Sequence, residues 1–306
     1  MYDSFSKSYF STSLNFDQTR SAKALVELIV ANDLPFTFAE YSGLNVFVKG
    51  LNSDFKLCTA KTVKANMMKY YSNAKKIVQQ LISKPTNSMF SATTDLWKSE
   101  HQNIGYICVT LHWIDAYFEL IHLLIGFEEM IQPHSGANLA VAINKIFQEW
   151  SIEPYRILRI VMDNASNNSR CIEEMKRMVL TENKSYMGTG SYLKGSSRAF
   201  LELPPISAES ELTGYLQSEC ELFGTDENST ILTWWKSNAL TRYPQLSKFA
   251  RSILAVPATS VPSECTFSTS GRVISEYRSR LNNDTVQAIM LYGDWLKKRP
   301  LFNLKF

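Results

Sequence analysis

The stretch from Phe90 to Asp163 constrains the fold more than any other. Three strand-like segments follow closely: Phe90–Trp97 (FSATTDLW), Tyr106–Ile114 (YICVTLHWI) and Tyr117–Phe127 (YFELIHLLIGF). The links between them are too short for a crossover, so they predict an antiparallel meander. A helix from about residue 134 to Trp150 follows, with Leu139, Ile143, Ile146 and Phe147 on one stripe. Ile157–Asp163 (ILRIVMD) is then a nearly continuous apolar run, as expected of a strand covered on both faces. A strand that returns through a helix lies parallel to an earlier one by a right-handed crossover. If this fourth strand pairs with the first, Asp95 and Asp163 emerge at the carboxyl ends of neighbouring strands. The fold class is therefore α/β: a β-β-β-α-β mixed sheet with helical segments on both sides.

Those flanks have helical spacing. Ala24, Leu25, Leu28 and Ile29 recur at helical intervals until Asn32-Asp33 and Pro35 stop the pattern. Lys61–Lys84 is longer, with Val63, Met67, Tyr70 or Tyr71, Ala74, Ile77 and Leu81 as its stripe. Lys64, Lys69, Lys75 and Lys76 fall elsewhere and read as a solvated face. Gly188, Gly190, Gly195 and Pro204-Pro205 mark residues 181–209 as a linker. Further helices are expected at 210–223, 229–240, 243–254, 263–271 and 284–298. Ser263 and Asp284 are the expected N-caps, and Lys297-Lys298-Arg299 suits a helix C-terminus. The expected organisation is a disordered N-terminus (1–20), a helical region (21–84), the α/β core (85–180), the linker (181–209) and a helical C-terminal region (210–306).

Composition narrows the function classes. A chain of 306 residues, 45% hydrophobic and 12% aromatic, is globular rather than disordered. A net charge of +3 permits a local nucleic-acid surface without arguing for one. The five cysteines (Cys58, Cys108, Cys171, Cys220, Cys265) form no C-x-x-C pair, so neither a disulfide framework nor a zinc site is expected. No apolar run reaches the roughly 18 residues of a membrane span. The N-terminus has neither a basic start nor an apolar core, so no secretory signal and no membrane partner are expected. His112 and His122, both in predicted strands, read as core or edge residues.

Three motifs carry more specific information. Thr93-Thr94-Asp95-Leu96-Trp97 ends the first strand. Val109-Thr110-Leu111-His112-Trp113-Ile114-Asp115 forms the second, and Asp163-Asn164-Ala165-Ser166-Asn167-Asn168 closes the fourth. Near the C-terminus stands PATSVPSECTFSTSGRVISEYRSRL, residues 257–281, preceded by Trp234-Trp235 and Tyr243-Pro244-Gln245-Leu246. These motifs resemble, in the same order, those of the hAT superfamily of DNA transposases and their domesticated, zinc finger BED domain-containing descendants. The likeness covers about residues 20–180 and 210–297. It implies a ribonuclease H-like core and a C-terminal dimerisation region.

By that resemblance Asp95, Asp163 and Glu264 occupy the positions of a catalytic Asp-Asp-Glu triad. In active transposases such carboxylates hold Mg2+ or Mn2+, and paired divalent ions grip the attacking and leaving oxygens of a phosphodiester. Read from the residues alone, the same acids are ordinary strand-end and first-turn acids. Two departures point to lost catalysis. Cys171 has no following histidine partner, and only 101 positions separate Asp163 from Glu264, too few for the family's helical insertion. The BED finger is also not found. The expectation is therefore a nuclear, transposase-derived protein that self-associates and binds DNA. Trp234, Trp235, Tyr243, Leu246, Phe267 and Trp295 are its expected dimerisation residues, since paired aromatics often anchor interfaces. The alternative is a divalent-metal-dependent DNA transposase or nuclease. A cellular ribonuclease H fits less well, having no place for the C-terminal region.

Overall fold

In the computed structural model of the chain, the structure describes residues 16–84, 88–99, 103–131, 133, 135–162, 169–178, 205–218, 230–238, 241–274 and 281–302. Residues 1–15 of the segment expected to be disordered (1–20), most of the 181–209 linker and Asp163 lie outside these residues. Residues 18–20 are corrected to the first turn of a helix, because Asp17 Oδ1 accepts from the Thr19 and Arg20 amides and caps it. The elements are α1 (Gln18–Ala31), a 3-10 turn (Phe36–Glu40), α2 (Ser42–Leu51) and α3 (Ala60–Ile82), then β1 (Phe90–Ser99), β2 (Ile104–Ile114) and β3 (Leu120–Met130). After them come α4 (Gly136–Glu149), β4 (Ile157–Val161) and α5 (169–178). The C-terminal part holds α6 (Pro205–Gln217), α7 (Ile231–Asn238), α8 (Leu246–Leu254), α9 (Val261–Val273) and α10 (Asn283–Phe302).

The four strands form one mixed sheet in the order β3-β2-β1-β4. β1, β2 and β3 are the expected antiparallel meander. β4 returns parallel to β1, with Thr93 opposite Val161. Several strand boundaries differ from the sequence reading by a few residues, and two of them bear on the site. β3 begins at Leu120 rather than Tyr117, because Asp115 Oδ1 accepts from the Tyr117 and Glu119 amides and holds a turn there. β1 continues to Ser99, so Asp95 lies within the strand, two residues past its last pairing with β4.

A bulge between β2 and β3 leaves Ile125 as the extra residue: Val109 faces Gly126, and Thr110 faces Leu124. The outward backbone groups here are taken up by side chains. Trp150 Nε1 donates to Ile125 O at 2.6 Å, Trp295 Nε1 donates to Leu124 O at 2.9 Å, and the Leu124 amide donates to Asp294 Oδ2 at 2.9 Å. α10 thus closes the β3 edge, which would otherwise offer unpaired backbone groups to another strand. A Cβ on Gly126 would lie 2.6 Å from Cδ1 and 2.9 Å from Cγ2 of Ile146, so any side chain there would force Ile146 of α4 to shift.

The main core joins the chain's two ends. Trp295 of α10 stacks on Tyr71 of α3 (5.6 Å between ring centres) and meets Trp150 edge-on at 5.8 Å. Glu27 of α1 is buried and accepts two hydrogen bonds from Arg299, each 3.1 Å. Asp33, which closes α1 with φ 56°, pairs with Arg272 and Lys297. In α3 the buried stripe is Val63, Met67, Tyr71, Ala74, Val78 and Ile82. It differs from the expected one at its end, where Val78 and Ile82 replace Ile77 and Leu81. A straight helix of 3.6 residues per turn drifts against a strict repeat over 23 residues. Lys69 and Lys76 are solvent-facing as expected, while Lys75 pairs with Glu149 of α4.

Both predicted N-caps are corrected. α9 starts two residues before Ser263, with Pro262 in its first turn. α10 is capped by Asn282, whose Oδ1 accepts from the Thr285 amide at 3.3 Å, and Asp284 sits in the first turn. Lys297 and Lys298 do not end α10, which runs on to Phe302; they pair with Asp33 and Asp294 instead. Replacing Trp295 by Ala removes a fully buried ring and leaves Leu124 O without its donor. Such a cavity is expected to cost about 3–5 kcal/mol, read as a lower urea midpoint at unchanged slope.

Candidate functional site

Alternate residues of a strand share a face, so Ser91, Thr93, Asp95 and Trp97 of β1 point the same way. α9 lies on that face. Ser263 Oγ donates to Thr93 Oγ1 at 2.8 Å, and Phe267, one turn further, stacks on Trp97 with ring centres 6.0 Å apart. Asp95 lies between these two contacts. Its cross-strand partner is Cys108, whose Sγ donates to Ser263 O at 3.8 Å. Burial pushes the Cys108 thiol up to about 12, so it stays protonated and serves as a donor. Ser263 therefore pins the first turn of α9 over the Asp95–Cys108 pair. The Glu264 backbone follows directly, and its side chain lies outside the described residues.

Asp95 itself is half-buried, and its Oδ1 accepts from the Leu96 amide at 2.8 Å. β4 ends at Val161, two residues before Asp163. Of the three predicted acids, the structure brings Asp95 and the Glu264 backbone to one sheet face. It contains no described position for Asp163. Hard carboxylate oxygens are the donor set that Mg2+ or Mn2+ would take, and among the described residues no group of three or more such ligands is gathered.

The residues beneath α9 are more polar than a sheet core needs to be. His112 faces Ser91 across the strands, and Thr110 faces Thr93. Thr93 Oγ1 and His112 Nε2 lie 3.5 Å apart, completing a chain from Ser263 through Thr93 to His112, which in turn stacks on His122 at 5.9 Å. Ser91 Oγ and Thr110 Oγ1 are buried with no hydrogen-bond partner among the described residues. Sequence reading did not single out Ser263 or Thr93 for this role. The signal was present as polar residues at every second position of two otherwise apolar strands.

The six expected dimerisation residues divide between two clusters. Trp234, Trp235, Tyr243 and Leu246 join Tyr215 in an aromatic group packed on Ile114 and Phe118, at the end of β2. Tyr215 stacks on Trp235 at 5.5 Å, and Trp234 meets Trp235 edge-on at 5.1 Å. Trp234 and Leu246 keep part of their surface; Trp235 and Tyr243 are buried. Phe267 and Trp295 belong instead to the main core, Trp295 being 0% exposed. Both are used in packing the chain against itself and present no surface to a partner, because the sheet face and the β3 edge need apolar cover.

Two measurements follow from this geometry. Ser263→Ala leaves Thr93 without its donor and is expected to cost about 1–3 kcal/mol by chemical denaturation, as for other buried polar groups deprived of a partner. Burial, reinforced by His122 and Lys298, holds His112 down at about 3, below its ordinary value of 6.5. Between those values the unfolded chain binds the extra proton. Stability should therefore be full above pH 6.5 and fall toward pH 3, by up to about 1.4 kcal/mol per pH unit for one proton. His112→Gln should flatten that slope.

Comparison with known proteins agrees with this arrangement. Residues 211–296 match the hAT family C-terminal dimerisation region, and residues 93–192 match the ZBED1 RNase-like domain. Over 160 residues the chain is 31% identical to a putative AC transposase of Zea mays, covering 52% of this chain and 20% of that protein. It is 27% identical over 193 residues to the zinc finger BED domain-containing protein DAYSLEEPER of Arabidopsis thaliana, covering 60% of this chain and 25% of the relative. RICESLEEPER 3 of Oryza sativa subsp. japonica is 25% identical over 149 residues, which is 49% of this chain and 19% of that protein. The alignments thus span a quarter or less of these relatives. The RNase-like match accords with the four-stranded mixed sheet and its ribonuclease H-like order. The chain is thus similar to hAT transposases and BED zinc finger proteins over two stretches, one matched to an RNase-like domain and one to the hAT C-terminal dimerisation region.

Proposed function

We propose that this chain is a nuclear, transposase-derived protein that self-associates through its C-terminal region and contacts DNA, and that it no longer cleaves DNA. One observation carries the self-association. Leu212 and Leu216 of α6, Ile231 of α7, Ile253 of α8 and Val261 at the start of α9 are all large apolar side chains between 45% and 72% exposed. All five fall within the region matched to hAT dimerisation. We read these exposed apolar side chains as the surface that a second copy would cover. They also differ from the residues expected from sequence, several of which serve the core. Support for nuclear location and DNA contact is the kinship with transposases and BED zinc finger proteins. Support for lost cleavage is the short separation of Asp163 and Glu264.

A second reading, a metal-dependent nuclease using Asp95, Asp163 and Glu264, is favoured by the Ser263 contacts that hold α9 against the Asp95 face. In that case these acids would hold Mg2+ or Mn2+, which would stabilise charge on the attacked phosphate.

Sedimentation velocity tests the first reading. The wild type should sediment as a dimer, and Leu216→Asp combined with Ile231→Asp should shift it to monomer with unchanged circular dichroism. A variant that stays dimeric would show that these side chains are not the contact. Calorimetric titration of Mg2+ and Mn2+, alongside a plasmid-cleavage assay, separates the second reading. The expected result is no cleavage. Cleavage that is lost in Asp95→Asn would favour the nuclease.

A further inference from the structure

Charge is distributed unevenly along the chain. Between residues 16 and 84 there are ten lysines and arginines against five aspartates and glutamates, a net +5, whereas the whole chain carries +3. Two of those five acids are neutralised within the molecule: Glu27 pairs with Arg299, and Asp33 with Arg272 and Lys297. α3 concentrates the excess, for its 23 residues include five lysines and no acid. Lys75 pairs with Glu149 of α4, and Lys64 is half-buried. Lys61, Lys69 and Lys76 are exposed, and none of the three has an ion-pair partner among the described residues. With 3.6 residues per turn they fall within about 80° of one another, and at 1.5 Å per residue they form a row about 22 Å long. The other exposed positions of α3 are Thr62, Ala65, Ser72, Asn73 and Gln80. All but Ala65 carry a hydroxyl or amide group.

We propose that this row of lysines is the surface by which the chain contacts duplex DNA, gripping the phosphate backbone without reading base sequence. The inference rests on the DNA-contact reading above and gives that contact a place. Three observations select the partner. The face is cationic along its whole length and holds no acid, so it suits a polyanion whose charges repeat regularly, as those of a phosphate backbone do. Hydroxyl and amide side chains stand beside the lysines, and these are the groups that join lysine in contacting phosphate and sugar oxygens. A protein partner, even an acidic one, would call for large apolar anchors at the centre of the contact, and no exposed position of α3 supplies one. The opposite stripe of the helix, from Val63 to Ile82, is packed into the main core, so the lysines project from a rigid element. In sequence α3 precedes both matched regions, 93–192 and 211–296, so this contact is separate from the candidate acids and from the dimerisation surface.

The test uses the full chain carrying Lys61→Gln, Lys69→Gln and Lys76→Gln together, and the same three positions changed to Arg. A control with equal loss of charge combines Lys176→Gln, Lys236→Gln and Lys248→Gln, exposed positions on α5, α7 and α8. Fluorescence anisotropy uses a labelled duplex of about 20 base pairs. In the α3 glutamine variant the dissociation constant should rise at least about tenfold, and the slope of log affinity against log salt should fall by about 3. The arginine variant and the control should bind as the wild type does. Lysine acetylation by an N-hydroxysuccinimide ester gives an independent reading that needs no substitution: duplex DNA should slow labelling of Lys61, Lys69 and Lys76 and leave Lys236 and Lys248 unchanged. Unaltered affinity and slope in the α3 glutamine variant would overturn α3 as the contact and leave the DNA reading standing. A wild type that binds no duplex DNA even at low salt would overturn both. Tighter binding of polyglutamate, or of duplex RNA of equal charge, would overturn duplex DNA as the partner of this face.

Discussion

The indole of Trp295 is the contact on which the rest of the fold depends. It stacks on α3, meets Trp150 at the end of α4, and donates to the backbone of β3. One side chain from the last helix thereby fastens the N-terminal helices, the crossover helix and a sheet edge. A buried aromatic of this size contributes through its large apolar area, and its N–H needs a partner that only a carbonyl on an edge strand can offer here. Glu27–Arg299 and Asp33–Arg272 extend the same connection between α1 and the C-terminal helices. The RNase-like sheet is consequently completed by helices that come from both ends of the chain.

The second constraint is the polar seam under α9. Ser263, Thr93, Cys108 and His112 form a set of directional contacts around Asp95, in a layer where aliphatic packing alone would allow α9 to slide. Hydrogen bonds in such a layer are strong only in one register, so they specify where the helix sits as well as how firmly. The seam explains how a helix far along the chain is aligned with the first strand of the sheet. It also places buried His112 and half-buried His122 where burial lowers the pKa of both.

Much of the sheet was legible from the chain. The alternation in residues 106–114 and the continuous apolar run from Ile157 reflect strands half or wholly covered, and both were located to within a few residues. The helix ends were less legible. Ser263 and Asp284 look like caps because small polar residues often are, yet Ser263 was needed against Thr93 and Asn282 stood two residues earlier for α10. The aromatic residues of the C-terminal region were recognised as important, but their use was divided. Trp235 and Tyr243 pack a satellite cluster on Ile114 and Phe118, Phe267 and Trp295 fill the main core, and the exposed surface falls to aliphatic residues such as Leu216 and Ile253. Hydrophobicity marks a residue for burial without saying against what.

By itself the sequence determined the order of the strands along the chain, the condition under which β4 would return parallel beside β1, and a resemblance to the hAT transposases, because these follow from local periodicity and from motifs read in order. Only the tertiary structure decided that α10 closes the β3 edge and that Ser263 sets α9 over Asp95. Those features join residues 170 or more positions apart. Contacts between such distant residues leave no periodic trace in the chain, since each depends on shapes and bonding groups that exist only once the sheet has formed.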